Sequence, residues 1–348
     1  MTSAATKVLI VGPSWVGDMV MSQSLFIYLQ HTRPGVEIDV LAPAWSKPIL
    51  ARMPEVNRTI VAPTAHGELG LGKRRQLGVA LREQRYDQAI LLPNSLKSAL
   101  VPFFARIPLR TGWRGEMRYG LLNDLRRLDE AALPLMVQRF VALAQDPTEA
   151  LPQELPPPQL VVDKGVAREC LARFGLTPDQ PILALCPGAE FGAAKCWPLD
   201  YYADIARRYL ARGWQVALYG SANDSAVTGQ ILTACQSHPR CFDLAGRTQL
   251  AEAVDLLSLS ALVLSNDSGL MHIASALACP VLVIYGPTSA SFTPPLSPRA
   301  EVILPDIECA PCFQRECPLG HHRCMRDTLP EQVAAKLDAM VAGSMGGQ

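Results

Sequence analysis

Residues 266–272, Asn-Asp-Ser-Gly-Leu-Met-His, combine residue types that can hold an anion at the start of a helix. The segment follows a short apolar run and leads into a longer apolar stretch, a pattern that predicts a strand, a polar turn and a helix. Backbone N–H groups in the first turn of such a helix have no partner within it and attract phosphate. Asp267 and Ser268 suit the turn, and His272 lies four residues after Ser268, on the same face of the predicted helix. The same residues could equally cap the helix and pack, because capping residues are common.

A lysine on a second turn-rich segment, residues 187–198, could bring positive charge to the same edge of a sheet. The segment follows the predicted strand 182–186 and carries Glu190 and Lys195. A lysine on a loop beside a helix N-terminus is well placed to bind a phosphate. The sequence contains no Asp-x-Asp pair, which removes the obvious carboxylate clamp for a metal-bound diphosphate. We therefore expect that no metal or other cofactor is required and that a divalent cation is at most stimulatory.

Residues 12–18, Gly-Pro-Ser-Trp-Val-Gly-Asp, place an acidic side chain at the start of another predicted helix. They follow the apolar run 7–11, and the two glycines allow a tight turn before the helix at 19–30. Asp18 is either an ordinary first-turn acid that stabilises the helix or a catalytic base. The spacing differs from Gly-x-Gly-x-x-Gly, so we discount a nicotinamide or flavin site.

Three arginines recur at four-residue intervals in the first half of the chain: Arg110, Arg114 and Arg118. Arginine presents a rigid fork of donors that matches carboxylate and phosphate groups. The spacing therefore indicates either a cluster that binds an acidic acceptor or a solvated face, the ordinary setting of charged residues.

Alternating strands and helices must position these segments, and this alternation predicts parallel, doubly wound sheets of the α/β class. A proline-rich stretch, with five prolines between residues 146 and 158, divides the chain. We predict domains at 1–158 and 159–327, and a last helix with a short tail at 328–348 that packs back. Two such halves would face each other across a cleft. The predicted strands lie at 7–11, 37–42, 58–62, 88–92 and 109–113 in the first half, and at 182–186, 215–219, 242–244, 261–264 and 281–285 in the second.

Composition favours a soluble protein of two ordinary domains. The chain has 348 residues, 49% of them hydrophobic, and no apolar run approaches the length of a membrane span. We expect the early apolar run to form a first strand and not a signal peptide. Net charge is zero, but residues 1–150 carry 18 Lys and Arg against 13 Asp and Glu. The first half therefore suits an anionic partner, and we expect no nucleic acid among the partners.

Ten cysteines without an expected signal peptide indicate free thiols in a reducing compartment. Four of them are close together: Cys309, Cys312, Cys317 and Cys324. They are compact enough for a tetrahedral zinc site, but the spacing is not that of two Cys-x-x-Cys pairs. We favour a structural loop over a metal site.

Five separated segments together resemble the bacterial ADP-heptose:lipopolysaccharide heptosyltransferases, glycosyltransferase family 9. The resemblance covers essentially the whole chain and is closest to the branch that adds a heptose to the first heptose of the inner core. It implies a GT-B fold with two Rossmann-like domains, the N-terminal one for the acceptor and the C-terminal one for the nucleotide-sugar, and an inverting transfer. The segments are GPSWVGDMVMSQSL, PNSLKSALVPFFA, RTGWRGEMRYG, PGAEFGAAKCWP and NDSGLMH.

The resemblance also implies a role for each matching residue. Asp18 would be the base, and Lys195 would stabilise the departing diphosphate. Cys196 stands where a basic residue is expected, which leaves a second cation at the diphosphate unaccounted for. The implied donor-binding residues are Glu190, Thr248, Asp267, Ser268, Gly269, Leu270 and His272, and the implied acceptor-binding residues are Gly17, Arg110, Arg114 and Arg118.

The implied setting is lipopolysaccharide core biosynthesis, a part of cell envelope biogenesis. The protein would be cytoplasmic and attached peripherally to the cytosolic face of the inner membrane, with ADP-heptose as donor and a Kdo/heptose core as acceptor. Two alternatives remain open: a member of the same family that uses a different acceptor, heptosyltransferase I or III, and a zinc-stabilised nucleotide-sugar binding module without turnover. A dehydrogenase remains possible on fold alone but lacks its glycine fingerprint.

Overall fold

The protein divides into two compact units, Met1–Pro158 (unit 1) and Gln159–Gln348 (unit 2). The computed structural model describes residues 6–64 and 67–345, so the expected start of the chain at 1–5 and the end of the expected tail at 346–348 lie outside the described residues. Each unit is built on a six-stranded sheet. Within the described ranges, no helix is long and apolar enough to span a bilayer.

Unit 1 alternates strands and helices in the way that the sequence predicts. Its strands are β1 (Lys7–Val11), β2 (Glu37–Ala42), β3 (Val56–Val61), β4 (Gln88–Leu91), β5 (Leu109–Trp113) and β6 (Asp124–Arg126). Its helices are α1 (Val16–Thr32), α2 (Lys47–Leu50), α3 (Leu71–Leu81), α4 (Leu100–Phe104) and α5 (Met136–Ala142).

The sheet of unit 1 has the order β3-β2-β1-β4-β5-β6, and every neighbouring pair is parallel. The central strands are continuous apolar runs because a parallel sheet is covered on both faces, and Val8, Leu9 and Ile10 are completely buried. The strand order reverses between β1 and β4. Open α/β sheets bind ligands at the carboxyl edge beside such a reversal, which here lies at the loops after β1 and β4.

Unit 2 repeats this construction. Its strands are β7 (Ile182–Cys186), β8 (Gln215–Leu218), β9 (Cys241–Asp243), β10 (Leu262–Asn266), β11 (Val281–Ile284) and β12 (Ala300–Ile303). Its helices are α6 (Lys164–Phe174), α7 (Leu199–Ala211), α8 (Ser225–Ala234), α9 (Leu250–Leu257), α10 (Gly269–Ala276), α11 (Arg323–Arg326) and α12 (Pro330–Met345). The sheet order β9-β8-β7-β10-β11-β12 is again all parallel and reverses between β7 and β10. The predicted doubly wound α/β class is confirmed in both units.

The last helix, α12, packs against α7 of its own unit. Val333 and Leu337 are buried in the same apolar cluster as Tyr209. At the rim of this contact Asp338 pairs with the guanidinium of Arg212 and accepts a hydrogen bond from the Tyr209 hydroxyl at 3.1 Å. The Arg212 hydrogen bond lowers the pKa of Asp338 below its ordinary value. These contacts fix α12 to unit 2.

Candidate functional site

The site in unit 2 begins at the carboxyl ends of β7 and β10, the neighbouring strands between which the sheet order reverses. The loop 187–198 leaves β7, and the turn at Asp267 and Ser268 leaves β10. The two segments that the sequence analysis singled out separately are therefore brought to one place by the strand order.

Asn266, the last residue of β10, ties these two segments together. Its side chain is buried, its Nδ2 donates to the carbonyl of Pro187 at 2.7 Å, and its Oδ1 accepts from the backbone N–H of Trp197 at 3.2 Å and from the Tyr202 hydroxyl at 3.0 Å. Sequence reasoning treated Asn266 only as a possible helix cap, because nothing local shows that its partners lie far along the chain.

Replacing Asn266 by alanine is expected to lower the free energy of unfolding by about 3 kcal/mol, because three buried polar groups lose their partner. Asn223→Ala is the matched control, since Asn223 is exposed and its side chain makes no hydrogen bond within residues 6–64 and 67–345. It should cost less than about 1 kcal/mol. Urea denaturation of both variants measures this; equal losses would contradict the anchoring role.

Lys195 and Asp267 form a buried ion pair at the centre of the site. Lys195 Nζ lies 2.6 Å from Asp267 Oδ2, and Asp267 is only 5% exposed. The hydroxyl of Thr288, which lies in the turn after β11, donates to the same Oδ2 at 2.6 Å. The loops after three adjacent strands thus each contribute one polar side chain: Lys195 after β7, Asp267 after β10 and Thr288 after β11. Sequence analysis missed Thr288, although its position in a strand-end turn was an available signal.

Helix α10 starts at Gly269 and is preceded by Ser268 in an extended conformation, with φ −146° and ψ 172°. Ser268 occupies the cap position, but its side chain makes no capping hydrogen bond; its Oγ lies 3.2 Å from Ser265 Oγ. The first-turn N–H groups of α10 are therefore not occupied by a side-chain cap, an arrangement suited to an anion. Gly269 and Leu270 contribute the backbone of this first turn.

His272 lies one turn into α10 and is 6% exposed. Burial lowers its pKa to about 4; Lys195 acts in the same direction and Asp267 opposes it. The imidazole is therefore neutral near pH 7, so His272 can form hydrogen bonds but does not supply a third charge.

The neutral state of His272 predicts a pH dependence of stability. Its folded pKa of about 4 lies below the ordinary 6.5, so as the pH falls the unfolded chain takes up this proton first. The contribution of neutral His272 to the free energy of unfolding is complete above pH 6.5. It is lost as the pH falls from 6.5 to 4, by up to about 3 kcal/mol. Urea denaturation of wild type and His272→Gln at a series of pH values should give curves that converge as the pH falls through this range. Parallel curves would contradict the assignment.

The Phe191 ring contacts two cations, Lys195 of the ion pair and Arg315 of the segment 309–324. Lys195 Nζ lies 4.8 Å from the centroid of the Phe191 ring, and the guanidinium carbon of Arg315 lies 5.5 Å from the same centroid. Cys196 is half-buried, and burial raises the pKa of its thiol. Arg315 is therefore a second positive charge at this loop, and sequence reasoning missed it because it lies more than a hundred residues further along the chain.

The cysteine-rich segment 309–324, here called the cysteine loop, supports the site loops. The backbone N–H of Ala194 donates to Arg315 O at 3.1 Å, and that of Phe313 donates to Pro287 O at 2.7 Å. Gly192 lies so close to Arg315 that an added Cβ would be 2.4 Å from its carbonyl oxygen, so only glycine fits. These contacts favour the structural interpretation of the loop.

The four cysteines of this loop surround a cavity of about 30 Å³ together with His321. All ten cysteines lie among the described residues and are free thiols. Within those residues, no group of three or more Cys, His, Asp or Glu side chains is arranged to hold a metal ion.

Glu190 and Thr248 make no hydrogen bond to the Lys195–Asp267 pair among the described residues. Glu190 is exposed on the loop after β7, and Thr248 is half-buried between β9, the edge strand, and α9. Their donor contacts stay predictions.

In unit 1 Asp18 lies in the first turn of α1, directly after the loop that leaves β1. It is half-buried, and Trp15 at the cap position of the helix makes no side-chain capping bond. Gly17 lies beside it in the same turn. An added Cβ at Gly12 would lie 2.9 Å from the terminal methyl of Met19, a flexible group that could move aside. The carboxylate is thus placed at the reversal point of the unit 1 sheet.

The three predicted acceptor arginines do not form one cluster. Arg110 is the second residue of β5, at the amino edge of the sheet, whereas Arg114 follows β5 at the carboxyl edge and is exposed. At about 3.3 Å per residue along a strand, these positions are roughly 13 Å apart. The four-residue spacing would place the arginines together on a helix, but the chain here is a strand followed by a loop.

The position of Arg118 contradicts the expectation that it binds the acceptor. It is completely buried, and its guanidinium donates to the carbonyl of Pro93 at 2.7 Å and to that of Trp113. Its donors hold the loop after β5 against the loop after β4, so Arg118 is a structural residue and does not face an acceptor. Arg114 remains at the edge where an acceptor is expected.

Comparison with known proteins places this arrangement in a family. The sequence model of glycosyltransferase family 9 (heptosyltransferase) matches residues 74–323. Lipopolysaccharide heptosyltransferase 2 of Escherichia coli K12 is 50% identical over 342 residues, 96% of this chain and 98% of that protein. Lipopolysaccharide heptosyltransferase 1 of Pseudomonas aeruginosa PAO1 is 28% identical over 358 residues, 96% of this chain and 98% of that protein.

The solved structure of E. coli ADP-heptose LPS heptosyltransferase II matches with a TM-score of 0.89 at 48% identity, covering 98% of this chain and 100% of that chain. This match confirms the predicted GT-B fold class. The chain belongs to glycosyltransferase family 9, the heptosyltransferases.

Proposed function

We propose that this protein transfers L-glycero-D-manno-heptose from ADP-heptose to the first heptose of the lipopolysaccharide inner core, with inversion at the anomeric carbon. The observation that carries the proposal is the meeting of Lys195, Asp267 and Thr288 at the uncapped start of α10. The 50% identity to a heptosyltransferase 2 over almost the whole chain supports the same reaction.

The donor diphosphate would bind at the N-terminus of α10. There the free backbone N–H groups and Lys195 offer positive charge to the phosphate oxygens. Charge builds up on the departing ADP as the glycosidic bond breaks, so a cation fixed at this point lowers the energy of the transition state more than that of the ground state. Lys195 is held in position by Asp267 and the Phe191 ring before the donor arrives.

Asp267 would orient the sugar. Within the described part of the chain, both side-chain hydrogen bonds of Asp267 fall on Oδ2, from Lys195 and Thr288, so Oδ1 is able to accept a hydrogen bond from a sugar hydroxyl. The neutral His272 behind it can bond without repelling Lys195. Ser268, Gly269 and Leu270 would contribute backbone donors, and Glu190 and Thr248 would contact the sugar phosphate or the adenosine.

Asp18 would be the general base of the reaction. Inversion in one displacement requires a group that takes the proton of the attacking hydroxyl, and a half-buried carboxylate at the first turn of α1 suits this task. Gly17 and Arg114 lie at the same edge of unit 1 and would contact the acceptor. We further propose that no metal is required, because Lys195 and the α10 N-terminus supply the positive charge, and that a divalent cation is at most stimulatory.

The acceptor is a glycolipid, so we propose that the protein works at the cytosolic face of the inner membrane as a peripheral protein. Its partners would be ADP-heptose and the Kdo/heptose core, without nucleic acid. This chain is 50% identical to the heptosyltransferase 2 of E. coli but only 28% identical to the heptosyltransferase 1 of P. aeruginosa. The difference favours an acceptor that already carries one heptose.

Acceptor choice tests the proposal against its alternatives. ADP release from ADP-heptose should require a core acceptor that carries one heptose and should persist in EDTA. Preference for an acceptor without heptose would assign the type I reaction, and preference for a longer core would assign type III. Donor binding with no ADP release on any acceptor would favour a binding module.

A further inference from the structure

A cavity of about 430 Å³ lies on the surface of unit 1, away from the edge that carries Asp18. It is at the amino edge of the sheet, because Arg110 is the second residue of β5 and the chain enters β5 directly after α4. The Asp18 loop leaves the opposite, carboxyl edge of β1. The lining residues are Arg82, Phe103, Phe104, Arg106, Ile107, Pro108 and Arg110.

Positive charge dominates this cavity, since three arginines and no carboxylate line it. Arg82 Nε donates to the carbonyl of Phe104 at 2.9 Å, and Arg110 donates to the carbonyls of Leu121 and Ile107. These bonds use a minority of the guanidinium donors. Among residues 6–64 and 67–345, Arg82, Arg106 and Arg110 form no salt bridge, so their charge is not neutralised by a neighbouring carboxylate. Arginine forks match the oxygen geometry of phosphate and carboxylate groups, so this cavity suits an anion of either kind.

The backbone at Arg106 makes this residue a suitable position for a test substitution. Its φ is 56°, in the left-handed region that disfavours side chains with a Cβ. Glycine would fit this turn with less strain, yet an exposed arginine stands there beside the cavity. This conformation ends α4 in the usual way, because the N–H of Arg106 donates to Phe103 O at 3.0 Å and that of Ile107 donates to Pro102 O at 3.3 Å.

Exposed apolar side chains border the arginines. Phe103 is 40% exposed and Leu109 is 41% exposed, and the guanidinium of Arg110 lies 5.9 Å from the Phe103 ring. A free phosphate ion would leave this apolar surface in water, whereas a lipid headgroup layer would bury it while its phosphates met the arginines. The surplus of basic residues in the first 150 positions favours the same kind of surface.

We propose that the arginine cavity and its apolar border dock unit 1 onto the phosphate headgroups of an anionic lipid surface. This extends the peripheral attachment proposed above by naming the surface that makes it. Vesicle binding tests it independently of heptose transfer, so the two proposals can fail separately.

The test is co-sedimentation of the full chain with vesicles of phosphatidylglycerol and phosphatidylcholine, compared with phosphatidylcholine alone. Arg82→Ala and Arg106→Gly should each weaken binding to the anionic vesicles about fivefold, and the double variant roughly 25-fold. Arg106→Gly also relieves the left-handed backbone, so its thermal stability should be kept or raised. Turnover of a water-soluble core acceptor should be unchanged in both variants.

Arg75→Ala is the control, because it removes the same charge from an exposed position of α3 outside the cavity lining. It should leave vesicle binding nearly at the wild-type level. Equal losses in Arg75→Ala and the cavity variants would overturn the proposal by showing only a general charge effect. It would also be overturned if the cavity variants lost binding of inorganic phosphate in solution and bound the anionic vesicles as wild type does.

Discussion

Replacing Asp18 by asparagine is expected to lower kcat roughly 10²- to 10⁴-fold, the usual contribution of a general base. The amide has nearly the shape of the carboxylate but cannot take the proton of the attacking hydroxyl. KM for ADP-heptose should change little, because the proposed donor-binding residues lie in unit 2. Steady-state ADP release with saturating donor and acceptor measures both constants.

Asp163→Asn is the matched control for this change. Asp163 caps α6, accepting hydrogen bonds from the N–H groups of Gly165 and Val166 at 2.9 and 3.1 Å. Asparagine caps helices about as well as aspartate, so this variant should keep wild-type stability and kcat. If Asp18→Asn retained kcat within about threefold, Asp18 would be only a first-turn acid that stabilises α1.

Replacing Lys195 by methionine is expected to reduce kcat/KM roughly 10²- to 10³-fold, because a fixed donor to the departing diphosphate is lost. The same change leaves the buried Asp267 without its cation, which should lower the free energy of unfolding by about 3 kcal/mol. Kinetics and urea denaturation of the same preparation separate the two effects.

The double variant Lys195→Met with Asp267→Asn distinguishes catalysis from folding. Removing the unpaired carboxylate should restore most of the lost stability, since no buried charge remains. Activity should stay low, because neither the cation nor the carboxylate is present. Recovery of activity together with stability would mean that Lys195 acts only through the fold.

The strands that position the site could be predicted from the sequence because they are buried on both faces. Residues 8–11, 182–186 and 281–284 are continuous apolar runs, and each lies in an observed strand. The polar turns that follow them also carry local signals, and Asp18, Lys195 and Asp267 were proposed as site residues partly on that ground.

The two edge strands β6 and β12 lack this apolar pattern and were not predicted from the sequence. β6 is three residues, Asp-Leu-Arg, at the edge of its sheet, and it is stabilised by an ion pair between Asp124 and Arg126 at 2.8 Å. β12 is also an edge strand and is only partly buried. Edge strands bury little apolar surface, so their sequences lack the pattern of a central strand.

The contacts within the site depend on chain topology and could not be predicted from spacing. Thr288 meets Lys195 and Asp267 only because β11 lies next to β10, and Asn266 meets Trp197 only because β7 lies on the other side. The prediction that Arg110, Arg114 and Arg118 form one cluster was wrong because it relied on spacing alone. Regular spacing was interpreted without knowing that a strand ends at Trp113.

The most direct test of the account is a single-turnover reaction with enzyme in excess over ADP-heptose and a core acceptor carrying one heptose, followed by mass spectrometry of the acceptor and quantification of ADP. The account predicts that heptosylated acceptor and ADP form in equal amounts, and that neither forms without the acceptor. Bound donor that yields no heptosylated acceptor would contradict it.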